Sequence, residues 1–398
     1  MLIKFNFKNF KSFKEENQLD MEASTIKEHT YNITKKNNIN ILKVAAIYGA
    51  NASGKTNVLQ AFDYMKQRIL VSDDSKKFNI QESIYTFMIN NEPMCFEVEM
   101  LCKNDKIYKY GFEMKKDKII SEWLYEKRIN KFYTIFERNN NNVTINKKNI
   151  YNNIDEKTLF LNIYSKIDKE NECINNVYDW FINANYLDLG NPKFENILNT
   201  RISLKILNDE KYKKELLKFI QSFDNTIEGI KTVPYKIENL EEVVKIELIH
   251  KTKDNVLASL PLELESNGTR KMFHLFDFFM EALKNGMILF VDELDAKLHP
   301  LLTKYIINLF HNKETNKGNG QLIYSTHDTI NLNKEIFRRD EIWFTEKNKY
   351  GESELYTLSD YTLDNETKVR NDATYNKDYL TGRYGAIPIL EQFYINEK

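Results

Sequence analysis

One short stretch restricts what this chain can fold into: Gly49-Ala-Asn-Ala-Ser-Gly54-Lys55-Thr56 fills every fixed position of the pattern G-x-x-x-x-G-K-[ST]. The apolar run Val44-Ala-Ala-Ile-Tyr48 before it reads as a buried parallel strand, and a helical pattern runs from about residue 56 to 70. Strand, glycine-rich turn and helix in that order predict an α/β fold. Small residues let backbone N–H groups close around phosphate oxygens, and the positive end of the next helix adds attraction. In this reading Gly49, Ala50, Asn51, Ala52, Ser53 and Gly54 form a phosphate cradle. Lys55 neutralises the β- and γ-phosphates of a nucleotide, and the Thr56 hydroxyl binds Mg2+. The bland alternative is a glycine turn without a ligand, but with 12 glycines in 398 residues chance rarely assembles this pattern.

A second apolar run, Met287-Ile-Leu-Phe-Val-Asp292-Glu293, ends in two carboxylates. A buried parallel strand delivers its last residues to the carboxyl edge of the sheet, where open α/β folds bind ligands. There Asp292 is expected to hold Mg2+ through water, and Glu293 to orient and deprotonate an attacking water. In isolation the pair would read as solvated acids at a strand end. Pro300, in Leu294-Asp295-Ala-Lys-Leu-His299-Pro300, suits the first turn of a helix. A third run, Gln321-Leu-Ile-Tyr-Ser325-Thr326-His327, ends in polar residues. A lone histidine is usually structural, yet His327 closes the strand after the Asp-Glu pair. That position predicts an imidazole that hydrogen-bonds the γ-phosphate.

The remaining organisation is read from periodicity. The first twenty residues alternate like a hairpin around Asn9-Phe-Lys-Ser-Phe-Lys14. Residues from about 82 to 150 read as β-hairpins, 155 to 226 as mostly helical, and 243–250 and 256–264 as strands. The last third alternates helix and apolar strand, the mark of βαβ units. No internal repeat or long heptad run is present, which excludes a long coiled-coil arm. The expected division is 1–80 and 256–398 as the two parts of one P-loop domain, split by a mixed β/α insertion at 81–255.

Composition narrows the partners. With 57 Lys and Arg against 58 Asp and Glu, the net charge of -1 supplies no general attraction to nucleic acid or anionic lipid. Lysine clusters at 115, 116, 118 and at 211, 213, 214 read as solvated faces. Cys95, Cys102 and Cys173 lack disulfide or zinc spacing, which fits a reducing compartment. The charged, alternating start does not resemble a secretion signal, and no apolar run nears the roughly 18 residues that cross a bilayer. A cytoplasmic protein without membrane contact is expected.

Taken together, Asn9-Phe-Lys-Ser-Phe13, the Gly49–Thr56 cradle with Asn57 after it, Asp292-Glu293 and Ser325-Thr-His327 resemble the ABC-type ATPases of the SMC and OLD branch. Lys377-Asp-Tyr-Leu-Thr-Gly382-Arg-Tyr-Gly-Ala-Ile-Pro388 is similar to the ending of the RloA/AbiL abortive-infection kind. The likeness covers both ends of the chain well and the insertion in outline. It implies a P-loop ABC/SMC-type ATPase head with ATP and Mg2+ as cofactors, and adds Asn57 to the nucleotide contacts. It assigns Glu265-Ser266-Asn-Gly268-Thr269 to the signature loop, whose Ser266 and Gly268 would touch the γ-phosphate held by a second copy. It assigns Asp295 to the D-loop between the two sites. Asn267 and Thr269 depart from the transporter-type LSGGQ, which argues against a transporter motor. Read alone, Ser-x-Gly-Thr is an ordinary turn. The Mg2+-sensing glutamine has no clear position, and Gln81 is the candidate.

From the resemblance follows an ATP-dependent homodimer or larger assembly that hydrolyses ATP. About 70 residues follow His327, so a nuclease or toxin effector is expected on a separate chain, in anti-phage defence. The alternative is a DNA-binding repair ATPase of the RecF/SMC type. A scaffold that binds ATP without turnover is a third reading, against which Glu293 stands.

Overall fold

The computed structural model describes residues 1–71, 92–146, 148–235, 243–254, 256–362, 369 and 373–388. At its centre is a six-stranded sheet in the order Ala184–Asp188, Ile288–Asp292, Gln321–Ser325, Val44–Gly49, Ile342–Lys347, Ser353–Thr357. Neighbours run parallel except the last pair. The strands Ile288–Asp292, Gln321–Ser325 and Val44–Gly49 are buried along their whole length. Strands covered on both faces need apolar residues at consecutive positions, which is why each reads as an unbroken run.

The pleat sends alternate side chains into two cores. Ala45, Ile47, Ile288, Phe290 and Ile323 join Val58 and Phe62 of the helix Lys55–Leu70. Phe62 stacks on Phe290 with ring centroids 3.9 Å apart. Val44, Ala46, Tyr48, Leu289, Val291 and Tyr324 face the other way, toward the helices Asn267–Asn285 and Pro300–His311.

The first core is closed by an eight-stranded antiparallel sheet. It runs Lys148–Tyr151, Asn142–Ile145, Lys131–Asn139, Lys118–Arg128, Ile107–Lys115, Met94–Leu101, Leu2–Lys8, Asn17–Asp20. Leu2–Lys8 pairs with Asn17–Asp20 on one side and Met94–Leu101 on the other, so the amino-terminal hairpin extends the sheet made by the middle of the chain. Glu122 is fully buried in this layer. It accepts from the Phe160 and Leu161 amides at 2.6 and 2.9 Å and from the Tyr110 hydroxyl at 3.0 Å, with Arg138 3.7 Å away. A buried charge persists when it is bonded on every side like this. A three-stranded antiparallel sheet, Ile227–Tyr235, Val243–Lys251 and Leu257–Pro261, leads into Asn267–Asn285.

One element departs from the expected helical stretch at 155–226. Ala184–Asp188 is a strand that pairs in parallel with Ile288–Asp292, register Asp188 to Asp292. Five residues, Ala-Asn-Tyr-Leu-Asp, show neither strict alternation nor a long apolar run, so pairing with the neighbouring strand decides their conformation. A stretch expected within the insertion thus forms the edge of the central sheet. Residues 80, 81 and 255 at the expected boundaries lie outside the described residues, and so does the candidate Gln81. Among the described residues no helix is long and apolar enough to cross a membrane.

Candidate nucleotide site

The cradle forms where Val44–Gly49 ends and the helix Lys55–Leu70 begins. Both fixed glycines have a steric reason. Gly49 has φ of 153°, and a β-carbon there would stand 2.5 Å from the Thr345 carbonyl oxygen. Gly54 has φ of 118°, and its β-carbon would stand 2.9 Å from Ser353 Oγ and 3.1 Å from the Phe13 ring. Ala52 is left-handed at φ 61°. Ser53 Oγ lies 2.6 Å from Thr345 Oγ1, and Ser353 Oγ donates to the Ser53 carbonyl at 2.6 Å.

The Asn9–Phe13 turn braces this loop from outside. Phe10 and Phe13 form an isolated bridge, with Asn9 and Lys11 left-handed. Ser12 Oγ accepts from Asn57 Nδ2 and lies in hydrogen-bond contact with Ser353 Oγ, each at 2.8 Å. The Asn57 side chain is therefore held toward this turn; Ser12 of the Asn9–Phe13 motif supports the cradle together with Ser353, which no sequence motif revealed.

Lys55 is buried, and its Nζ donates to the carbonyls of Gly49 at 2.8 Å and Ala50 at 3.0 Å. Burial lowers its pKa to about 8, against the pull of Asp292, Glu293 and Asp295. The ammonium is thus desolvated and faces the loop that would take an anion.

The carboxylates sit across from it. Asp292 Oδ1 accepts from Thr56 Oγ1 at 3.2 Å and from the Ser325 hydroxyl. Burial pushes the Asp292 pKa up; the two hydroxyl bonds oppose this, and Asp188 and Glu293 reinforce it. Ser325 Oγ also accepts from the Glu293 N–H at 2.8 Å, and the Leu294 N–H donates to the Ser325 carbonyl at 3.1 Å. These bonds hold Glu293 left-handed at φ 51°, turning its carboxylate over Gly190. Thr56 Oγ1 and Asp292 Oδ1 are the oxygens that would hold Mg2+, a cation that takes oxygen ligands.

His327 follows the strand Gln321–Ser325, and its N–H donates to both Asp295 carboxylate oxygens at 3.3 Å. Desolvation and then the Lys55 ammonium lower its pKa, opposed by Asp295, Glu293 and Asp292. Burial and the Lys55 charge thus both favour the neutral ring. Ser266 caps the helix Asn267–Asn285: its Oγ accepts from Thr269 N–H at 3.1 Å and lies 2.8 Å from Thr269 Oγ1. A β-carbon at Gly268 would meet nothing closer than 3.7 Å. Among the described residues, Ser266 and Gly268 make no bond to their own cradle. Two further residues carried no motif. Asp188 stands beside Asp292, and buried Lys271 donates from the helix Asn267–Asn285 to the Ala296 carbonyl, next to Asp295. Beyond Ser353 a cleft of about 740 Å³ opens, lined by Lys14, Glu346, Lys347, Glu352 and Tyr356 among others.

Sheet, cradle and carboxylate edge define a P-loop protein of mixed α/β class. The chain belongs to the family described as "AAA domain, putative AbiEii toxin, Type IV TA system", whose model matches residues 44–332. No curated protein matches the sequence. Among solved structures, it is similar to an SMC head bound to the C-terminal winged-helix domain of ScpA, at 14% identity and TM-score 0.46, over 92% of this chain and 99% of that one. It is similar also to the recombination mediator RecF, at 12% identity and TM-score 0.40, over 89% and 98%. A part of an ABC transporter complex from Clostridium perfringens matches at 12% identity and TM-score 0.30, over 87% and 86%.

Proposed function

We propose that this chain binds ATP with Mg2+, hydrolyses it, and uses the bound nucleotide to hold two copies of itself together. The observation that carries this reading is the meeting of Lys55, Thr56, Asp292, Glu293 and His327 at one sheet edge, joined through Ser325 and Asp295. Phosphoryl transfer passes through a loose transition state, so positioning and charge neutralisation supply most of the catalysis. Lys55 offsets phosphate charge, Thr56 and Asp292 hold Mg2+, Glu293 orients a water, and His327 bonds a γ-phosphate oxygen.

Ser266 and Gly268 mark the start of a helix, an end that favours anions. They are offered to the triphosphate of a second copy, with Asp295 between the two sites. Nucleotide then favours the dimer through its contacts in that state alone. The product is a conformational signal. The family's description names a toxin–antitoxin system; the reading of a cytoplasmic regulatory subunit of a defence system, of the OLD-like RloA/AbiL kind, acting on a separate nuclease or toxin, rests on the sequence resemblance.

Phosphate release and sedimentation with and without ATP test this. Glu293→Gln is expected to lower turnover by about 100-fold or more while retaining ATP and prolonging the dimer. Unchanged turnover would remove Glu293 from its role, and a monomer at saturating ATP would sink the dimer. Stimulation by DNA would instead favour a repair ATPase of the RecF/SMC type.

A further inference from the structure

Lys271 carries a charge that nothing above uses. It is the fifth residue of the helix Asn267–Asn285 and only 7% exposed. Its Nζ donates to the Ala296 carbonyl, an uncharged partner. Burial lowers the pKa of this ammonium to about 8, more than Glu195 and Asp295 restore. Glu195 is itself bonded to Lys297 Nζ, at 2.5 and 2.7 Å. Burying an ammonium against a carbonyl costs desolvation that an apolar side chain of similar size avoids. Packing alone therefore does not account for a lysine here.

The carbonyl that Lys271 holds belongs to the turn bearing Glu293 and Asp295. Glu293 and Lys297 are both left-handed, at φ of 51° and 60°. The Ala296 N–H donates to the Glu293 carbonyl at 2.9 Å, and the Leu298 N–H to the Asp295 carbonyl at 3.0 Å. Other elements fasten this turn as well. Ser325 Oγ holds the Glu293 N–H, the His327 N–H holds the Asp295 carboxylate, and Glu195 holds Lys297. Lys271 adds the fastening that comes from the helix begun by Ser266 and Gly268. Gly268 and Lys271 stand at i and i+3 on that helix and so share a face.

We propose that Lys271 is a positioning residue: it ties the helix start at Ser266 and Gly268 to the Asp295-Ala296 turn. Contact of that helix start with a partner copy's nucleotide is then passed through the Ala296 carbonyl to Asp295 and His327 at the chain's own site. The inference rests on the two-copy reading above and names the internal link it needs. Lys271→Met keeps the length and burial of the side chain and removes the donor.

The experiment uses the full chain and compares melting temperature, titration with a fluorescent ATP analogue, and phosphate release against ATP concentration. Lys271→Met is expected to melt no lower than wild type and to bind the analogue within about twofold, while kcat falls about 10-fold. Hydrogen exchange of the Ala296 and Leu298 amides, measured without nucleotide, should quicken by a similar factor. Turnover equal to wild type, or a loss of turnover matched by a lower melting temperature, overturns the tie. Unchanged exchange at both amides overturns it too. A wild-type chain that stays monomeric with ATP would instead count against the two-copy reading, and the exchange result would still judge the tie.

Discussion

The Glu293 carboxylate lies directly over Gly190, so closely that a β-carbon at 190 would stand 2.6 Å from its Cδ. Gly190 follows the edge strand Ala184–Asp188, whose neighbour Leu189 donates its N–H to the Asp292 carbonyl at 3.1 Å. The edge strand therefore shapes the place where Glu293 works. Gly190→Ala is expected to displace the carboxylate and lower phosphate release by about 10- to 100-fold. ATP affinity, set at the cradle, should change by less than about threefold. Turnover equal to wild type would show that Glu293 leaves Gly190 before the reaction.

Ser325 serves two neighbours with one hydroxyl, donating to Asp292 and accepting from the Glu293 N–H, and it is fully buried. Ser325→Ala deprives both groups of a partner inside the protein. The expected loss of stability is about 1–3 kcal/mol, read from urea denaturation, with turnover reduced as well. A loss well below this range would mean that the Glu293 turn finds another partner.

Burial holds the Lys55 ammonium at about 8 in the fold, against an ordinary 10.5. Between those values the unfolded chain binds the extra proton, so this lysine makes stability rise with pH across that window. A bound triphosphate favours the charged form and has the opposite effect on binding. ATP affinity is expected to fall by up to about tenfold per pH unit above about 8, measured by calorimetric titration. Lys55→Arg should show no such break, and a flat wild-type profile would contradict a deprotonating Lys55.

Gly268 has room for a β-carbon in its own chain and lies in the first turn of a helix. Gly268→Ala is therefore expected to leave the monomer as stable as before, or more stable by up to about 1 kcal/mol. If the loop approaches a partner's phosphate, the added methyl should still abolish ATP-dependent dimerisation, visible in sedimentation. A normal dimer in this variant would separate Gly268 from the nucleotide.

Much of the architecture was legible from local pattern. The runs ending at Tyr48, Asp292 and Ser325 form neighbouring parallel strands in the central sheet, because burial on both faces leaves an apolar signature within each strand itself. The cradle was legible for a related reason: Gly49 and Gly54 answer steric demands within a few residues and across adjacent strands. Ala184–Asp188 was not legible, since its conformation comes from pairing with Ile288–Asp292, about a hundred residues later in the chain.

The sequence by itself determined which residues form the candidate site and that strands would deliver them to one edge. Residue type and spacing are enough for that, because a lysine after a glycine loop or two acids after an apolar run keep their local geometry in any α/β setting. The tertiary structure alone decided what surrounds them: Gly190 under Glu293, Ser12 and Ser353 behind the loop, Lys271 bonded to Ala296, and Tyr379 against Tyr48 and Phe344. Those contacts join separate segments of the chain, and no pattern within one segment names its partner in the other. Packing chose them, and packing is not written in any one segment.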